Sequence, residues 1–243
     1  MKHLIAAASL AVACVAGTAN AERLVVGVEN IEYLPHYNWD GTNYTGFGAD
    51  LLSAFAADEG FEIEFKALPI TRLMQAVVTG DVDLKYPDNA YWSSELKDGQ
   101  GMVYSEVVAE AIDGVMVLPD QVGRPVEEVE RLGTVLGFTP YSWLDRINAG
   151  DADLTENASF IGMVRQALVG RIDGAYANQD VVRRVLRELG KDEDALVFDE
   201  SLPHSVSNYH LSSTSRPDVV EAFNVWLAAN GDTVAALREK HAF

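Results

Sequence analysis

The feature that most constrains the fold is a repeated unit in which an amphipathic helix meets a glycine turn and then a strand. Residues 75–86, QAVVTGDVDLKY, resemble residues 166–176, QALVGRIDGAY. Each stretch ends a helical pattern, turns at a glycine suited to a helix C-cap and enters a strand. A chance match is the alternative, because this unit is common. If the repeat is real, the chain holds two similar α/β lobes. Residues 87–89 and 177–179 then face one cleft, because ligands bind beside strand carboxyl ends.

The rest of the chain continues the same alternation of short apolar strands and amphipathic helices. Strands are predicted at residues 24–26, 63–65, 82–84, 134–136 and 172–176. Helices are predicted at residues 49–57, 73–78, 160–168, 181–189 and 219–227, where apolar residues recur at helical spacing. Alternating strands and helices favour mostly parallel sheets that are covered by helices. The predicted fold class is therefore α/β.

The first 21 residues have the pattern of a cleaved secretory signal peptide. An apolar run over residues 4–15 is followed by the A-x-A site of residues 19–21. No later stretch approaches the roughly 20 apolar residues of a membrane helix. We therefore expect a soluble periplasmic protein. Two alternatives are a lipoprotein that is anchored at Cys14 and a cytosolic protein with an Ala-rich first helix. Cys14 is the only cysteine, so a chain cut after Ala21 has no disulfide.

Charge and motif content exclude several classes of function. The net charge is −19, which argues against nucleic acid or an anionic membrane surface as a partner. The sequence has neither a G-x-S-x-G nor an H-E-x-x-H motif, and the histidines after the signal are scattered. No glycine-rich phosphate loop follows a strand. We expect no metal, no cofactor and no catalytic residues.

Six motifs in order resemble extracellular solute-binding proteins of family 3, which serve polar amino acid uptake and have the type-II periplasmic binding protein fold. The resemblance covers nearly all of residues 23–243, and residues 44–52, YTGFGADLL, match most specifically. The other matching segments are residues 24–35, 80–83, 133–139, 170–173 and 231–240. The resemblance implies two lobes with hinge crossovers. It places lobe 1 at residues 22–107 and 206–243, and lobe 2 at residues 108–205. It also implies a monomer that docks on the membrane permease of an ABC transporter.

Two anchors of the family's amino acid site are missing from this chain. The position of the family's Arg, which grips the α-carboxylate, is Glu95 here, and the position of its Asp for the α-amino group is Asn178. The resemblance therefore does not extend to an ordinary α-amino acid in the usual pose.

The candidate ligand-binding residues come from the first loop, the two strand ends and the start of a helix. They are Tyr33, Trp39, Arg72, Tyr86, Asp88, Tyr91, Trp92, Thr139, Tyr141 and Asn178. Aromatic faces beside a carboxylate suit an organic cation, although they also suit flat or sugar-like ligands. Arg72 is the best candidate for an anionic group. Thr139 with Pro140 predicts a capped helix start that could offer N–H donors to an anion.

These observations predict a periplasmic protein that captures a small polar or cationic organic solute for ABC-type uptake. One alternative is a ligand-sensing or accessory receptor that uses the same cleft. Another is a periplasmic lyase or dehydratase, in which Asp88 or Glu95 acts as an acid from an aromatic pocket.

Overall fold

A computed structural model describes residues 21–136 and 138–242. The predicted signal segment, including Cys14, lies outside the described residues except for Ala21. Within the described ranges, no helix combines the length and apolar character needed to cross a bilayer.

The elements alternate as the sequence predicts. The strands are β1 (Glu22–Glu29), β2 (Glu32–Tyr33), β3 (Tyr37–Trp39), β4 (Tyr44–Thr45), β5 (Phe61–Leu68), β6 (Leu84–Asp88), β7 (Val103–Tyr104), β8 (Ala109–Val117), β9 (Arg131–Val135), β10 (Asp153–Asn157), β11 (Gly174–Asn178), β12 (Val197–Phe198) and β13 (Ser205–Ser213). The helices are α1 (Phe47–Glu59), α2 (Ile70–Thr79), α3 (Ser94–Lys97), α4 (Leu144–Ala149), α5 (Phe160–Leu168), α6 (Gln179–Glu188), α7 (Pro217–Ala229) and α8 (Gly231–His241).

Two parallel strand sets are joined through a pair of long antiparallel strands. The main path runs β10-β9-β11-β8-β13-β6-β1-β5. Strand β1 is parallel to β5 and β6, and β9 is parallel to β10 and β11. Strands β8 and β13 are antiparallel to each other, β8 also pairs with β11, and β13 also pairs with β6. The chain therefore forms two α/β lobes that β8 and β13 connect. The lobe limits near residues 107 and 205 stay a prediction, and these two strands begin beside them.

The repeated unit has the same local structure in both lobes. Helix α2 ends at Gly80 (φ 76°), and Gly170 (φ 68°) follows α5, so both turns use the left-handed backbone that glycine adopts without strain. After each turn, an aspartate accepts a hydrogen bond from the neighbouring parallel strand. Val25 N donates to Asp83 Oδ2 at 2.7 Å, and Arg131 N donates to Asp173 Oδ2 at 2.7 Å. Equivalent contacts therefore place β6 and β11 equivalently in their lobes.

Separate apolar clusters stabilise the two lobes. The lobe 1 core packs β1 and β6 against α1 and α7, with Leu24, Phe55 and Phe223 fully buried. The lobe 2 core packs α5 and α6 on β11, with Met163 and Leu186 fully buried. Such burial is worth roughly 1.5–3 kcal/mol for each large apolar side chain. The two cores therefore hold the sheets in place. The strand ends between the lobes lie outside these cores, where they can line a site.

Three local predictions are wrong. Strands were expected at residues 82–84 and 172–176, but β6 begins at Leu84 and β11 begins at Gly174, two residues later in each case. A helix capped by Thr139 was also expected. Residues 141–143 instead form a 3-10 turn without a side-chain cap, and α4 begins only at Leu144. Tyr141 N donates to the Thr139 main-chain carbonyl, not to its hydroxyl. The helix start predicted at Thr139 is therefore not formed.

Candidate functional site

A cavity of about 450 Å³ lies between the lobes, where the carboxyl ends of β1 and β6 approach β8 and β13. Its lining residues are Glu29, Ile31, Tyr33, Tyr37, Ile70, Met74, Asn89, Tyr91, Trp92, Ser93, Asp113, Phe138, Thr139, Tyr141, Ser205, Ser207 and Tyr209. The volume is typical of a site for one small molecule. Among the described residues, this lining contains two carboxylates and seven aromatic side chains, and it contains no lysine or arginine.

Asp113 is the carboxylate of the central strands. It sits in β8 between two partners, because β8 pairs it with Asn178 in β11 and with Ser205 in β13. The Tyr33 hydroxyl donates to Asp113 Oδ1 at 3.3 Å from the opposite lobe. Burial raises the pKa of Asp113 to about 6, and the hydrogen bonds from Tyr33 and Asn178 only partly offset that rise. Its ionised form is therefore poorly compensated, so a cation in the cavity would stabilise it.

Glu29 is the second carboxylate and ends strand β1. The Tyr37 hydroxyl donates to Glu29 Oε2 at 2.7 Å, and the side chain is almost fully buried. Burial raises the pKa of Glu29, while the positive charge of Lys85 and the Tyr37 hydrogen bond oppose the rise. Glu29 therefore has a charged neighbour behind the cavity wall, which Asp113 does not share.

Aromatic rings from both lobes form the walls. Tyr33 stacks on Phe138 with ring centroids 6.1 Å apart, and its centroid lies 5.2 Å from that of Tyr37. On the lobe 1 side, Trp92 meets Tyr209 edge to face at 5.7 Å. Tyr91 and Tyr141 are 87% and 66% exposed at the rim. Tyr33 is almost fully buried and contacts both the Phe138 ring and the Asp113 carboxylate.

Asp88 does not line the cavity, although the sequence made it the candidate carboxylate. Its side chain is fully buried and accepts hydrogen bonds from Lys85 Nζ at 3.1 Å and Lys97 Nζ at 2.7 Å on Oδ1. Ser212 Oγ donates to Oδ2 at 2.6 Å. Burial would raise the pKa of Asp88, but the two lysines and Ser212 hold it below its usual value. Asp88 therefore ties the end of β6 to α3 and β13 behind the cavity.

Four other predicted residues also lie away from the cavity lining. Trp39 packs on the lobe 1 core, and Tyr86 is fully buried beside Gly48. Arg72 is exposed, and it is two residues from both Ile70 and Met74, which line the cavity from another face of α2. Asn178 is buried behind Asp113 and caps α6, because its Oδ1 accepts from Asp180 N at 2.9 Å.

The remaining five predicted residues, Tyr33, Tyr91, Trp92, Thr139 and Tyr141, line the cavity together. They come from both lobes, so the structure brings the first loop, the segment after β6 and the segment after β9 to one place. Whether each side chain contacts a ligand stays a prediction.

Sequence reasoning missed both cavity carboxylates. Asp113 interrupts the otherwise mostly apolar strand AEAIDGVMV, and Glu29 follows the buried run of β1. A charge inside or directly after a buried strand is costly unless it is paired or functional. That cost was the available signal for both residues.

Metal binding has no support in this region. Across residues 21–136 and 138–242, no group of three or more His, Cys, Asp or Glu side chains is placed to hold an ion.

Comparisons with known proteins give a clear result for structure only. No protein-family model matches the chain, and no curated protein matches it. The GluR0 ligand-binding core in complex with L-glutamate has a TM-score of 0.69 and 17% identity, with 93% of this chain and 99% of that chain covered. A histidine kinase sensor domain with similarity to periplasmic binding proteins has a TM-score of 0.69 and 18% identity, with 91% and 96% covered. An ancestral cationic amino acid solute binding protein has a TM-score of 0.68 and 20% identity, with 90% and 95% covered.

These likenesses extend over nearly the whole of each chain. At such low identity they report on the fold. The chain therefore has the two-lobed type-II periplasmic binding protein fold.

Proposed function

We propose that this chain is a periplasmic solute-binding protein of family 3 that captures a small organic cation in the cleft between its lobes. The observation that carries the proposal is the composition of the cavity wall. Asp113 and Glu29 are its charged side chains, aromatic rings surround them, and no cation faces them from the described part of the wall. The same composition disfavours a ligand that must present a carboxylate.

The basic residues near the cleft lie outside the cavity lining. Lys85 and Lys97 are buried and both bind Asp88. Arg72 is exposed outside the lining. An α-carboxylate placed in the cavity would lie near Asp113 and Glu29 without a guanidinium or ammonium partner. An amino acid in the pose usual for family 3 is therefore disfavoured, which agrees with the missing anchors at Glu95 and Asn178.

The contacts that attract a cation are strong enough to change its binding affinity measurably. A cation over one aromatic face gains about 0.5–2 kcal/mol, depending on how far the pair is removed from water. The stacked pair of Tyr33 and Phe138 is the aromatic group on the Asp113 side of the cavity, because the Tyr33 hydroxyl bonds Asp113. A desolvated carboxylate adds a charge-assisted contact. Together these terms favour an ammonium or guanidinium group over an uncharged isostere.

We also propose that the protein delivers its bound cation to a membrane transporter. Closure of the two lobes over the cation would present a surface to the membrane permease of an ABC transporter, and we expect the binding protein to act as a monomer. The signal sequence would deliver it to the periplasm. A ligand shifts such an open–closed equilibrium only by its differential affinity for the closed form.

A sensing role is the second candidate, because one of the similar structures is the sensor domain of a histidine kinase. The cleft chemistry would be the same, and the partner would differ. Loss of cation uptake on deletion of the gene favours transport, whereas unchanged uptake with a lost transcriptional response favours sensing.

We also propose that the protein binds its solute without changing it chemically. Prolonged incubation with a bound cation, followed by mass spectrometry, should return the unchanged compound. A changed mass would instead favour the lyase or dehydratase alternative, with Asp113 as the acid.

The central experiment is calorimetry and thermal unfolding with a panel of ammonium, guanidinium and quaternary ammonium compounds and their uncharged isosteres. A cation at 100 times its dissociation constant should stabilise the protein by about 2.7 kcal/mol. Asp113→Asn should weaken binding at least tenfold, and the exposed Asp120→Asn variant is the charge-matched control. Stabilisation by carboxylates alone would refute the proposal.

A further inference from the structure

The two cavity carboxylates, Glu29 and Asp113, differ in the charged side chains that lie near them outside the cavity. Lys85 pairs with Gly27 across the β1–β6 ladder, and Glu29 follows Gly27 by two residues on the same face of β1. The Lys85 ammonium bonds the Pro87 carbonyl and Asp88, and it lies 5.4 Å from the centroid of the Trp92 ring, which lines the cavity. Lys85 therefore reaches the end of β6 next to the Glu29 side of the cavity.

The charges behind Glu29 leave a surplus of one positive charge. Lys85 and Lys97 both bind the single carboxylate of Asp88, and their side chains are buried with it. A buried ion cluster of this kind is stable only when charges and hydrogen bonds are well matched. An ionised Glu29 supplies the missing negative charge, which brings the group of four side chains to zero.

Asp113 has no such compensation within the described residues. Its side-chain hydrogen bonds come from the uncharged Tyr33 hydroxyl and the uncharged Asn178 side chain, and its other ladder neighbour, Ser205, is also uncharged. The cavity wall with its backing therefore carries one unbalanced negative charge, and that charge is at Asp113.

We infer that the cleft selects organic cations with a single positive charge, held at Asp113, and that Lys85 sets this selectivity by neutralising Glu29. The inference rests on the proposed function. It assigns the charged end of the ligand to the Tyr33–Phe138 side and an uncharged end to the side of Trp92 and Tyr209. Glu29 would accept a hydrogen bond from a neutral donor there.

We expect different affinities for two probes that share a five-carbon chain, pentylammonium and pentane-1,5-diammonium. The second ammonium of the dication would have to leave water at a place where Lys85 already balances Glu29. We expect the monocation to bind at least tenfold more tightly, a difference of about 1.4 kcal/mol. Asp113→Asn should weaken monocation binding at least tenfold, and Glu29→Gln, which leaves the Lys85 charge uncompensated, should weaken it by clearly less than Asp113→Asn does.

Removal of the Lys85 charge should reverse the preference for the monocation over the dication. In Lys85→Met the Asp88 carboxylate keeps Lys97 and Ser212, so the fold should survive, and the dication should gain at least tenfold relative to the monocation. Lys97→Met removes the same charge from the other side of Asp88 and serves if Lys85→Met does not fold. Asp120→Asn is the exposed control for both variants.

The outcomes separate this inference from the function on which it rests. Equal or tighter binding of the dication to the wild-type protein would overturn it, and so would equal losses in Asp113→Asn and Glu29→Gln. Cation binding itself would stand in both cases. If neither probe binds at millimolar concentration while pentanoate does, the proposed function fails and the inference fails with it.

Discussion

Replacement of Asp113 by asparagine should stabilise the ligand-free protein while it weakens ligand binding. The change keeps the shape of the side chain and the oxygen that accepts from Tyr33, and it removes the ionisable group. Because burial raises the pKa of Asp113 to about 6, the native state binds this proton more tightly than the unfolded chain, where the value is about 3.9.

Proton linkage gives the sign and the size of the stability change that we expect for Asp113→Asn. Between about pH 4 and pH 6 the native state holds more protons than the unfolded state, so this group lowers the free energy of unfolding as pH rises. The two-unit difference corresponds to about 3 kcal/mol at neutral pH. Asp113 is partly exposed, and solvent screening reduces the expected value to about 2 kcal/mol.

Urea unfolding of the wild type and Asp113→Asn, measured from about pH 4 to pH 7, tests this reasoning. The variant should gain stability over the wild type as pH rises through the pKa near 6, and the two proteins should converge near pH 4. The exposed Asp120→Asn variant should differ from the wild type by less than about 0.5 kcal/mol throughout. A variant that is less stable at neutral pH, or a difference that does not change with pH, would refute the account of Asp113.

Three further predictions concern the network behind the cavity and the cavity itself. Asp88→Asn should destabilise the protein by about 3 kcal/mol in urea unfolding, because it leaves Lys85 and Lys97 buried without their carboxylate; a loss below 1 kcal/mol would show that water or another group compensates the lysines. Cation affinity measured by calorimetry should fall roughly tenfold from pH 7 to pH 5, since the ligand needs ionised Asp113; a constant affinity would remove Asp113 from the site. Ligand binding should change tryptophan emission, and Trp92→Phe should abolish most of that change, because Trp92 lines the cavity, Trp39 packs on the lobe 1 core, and Trp143 and Trp226 are buried elsewhere; an unchanged signal would place the ligand away from Trp92.

Much of the fold could be predicted because its signals are local. The apolar spacing of α5 and the glycine that follows it depend on neighbouring residues, and both appear where the sequence indicates. The repeat also predicted that β6 and β11 would occupy matching positions, which Asp83 and Asp173 fix by equivalent bonds.

The site was harder to predict because side-chain direction depends on distant partners. Asp88 follows a buried strand and so suggested a ligand contact. Its orientation is set by Lys97, nine residues ahead, and by Ser212, which is 124 residues away. Asp113 contacts Tyr33 in the cavity wall, and Tyr33 is 80 residues earlier in the chain. No local pattern contains these contacts.

The segment around Thr139 failed for a different reason. Thr-Pro is a good start for a helix, but the backbone of this segment forms a 3-10 turn in which Trp143 N donates to the Pro140 carbonyl, and Tyr141 N donates to the Thr139 main-chain carbonyl. Trp143 is then fully buried and donates to the Pro203 carbonyl at 2.9 Å. Tertiary packing of this large side chain overrides the local preference for a capped helix.

The most direct test of the central claim is a crystal structure of the protein with a bound cation from the panel. The account predicts a positive centre within about 4 Å of the Asp113 carboxylate and in contact with the rings of Tyr33 and Phe138. A ligand that places a carboxylate at Asp113, or that lies outside the cleft between the lobes, would contradict it.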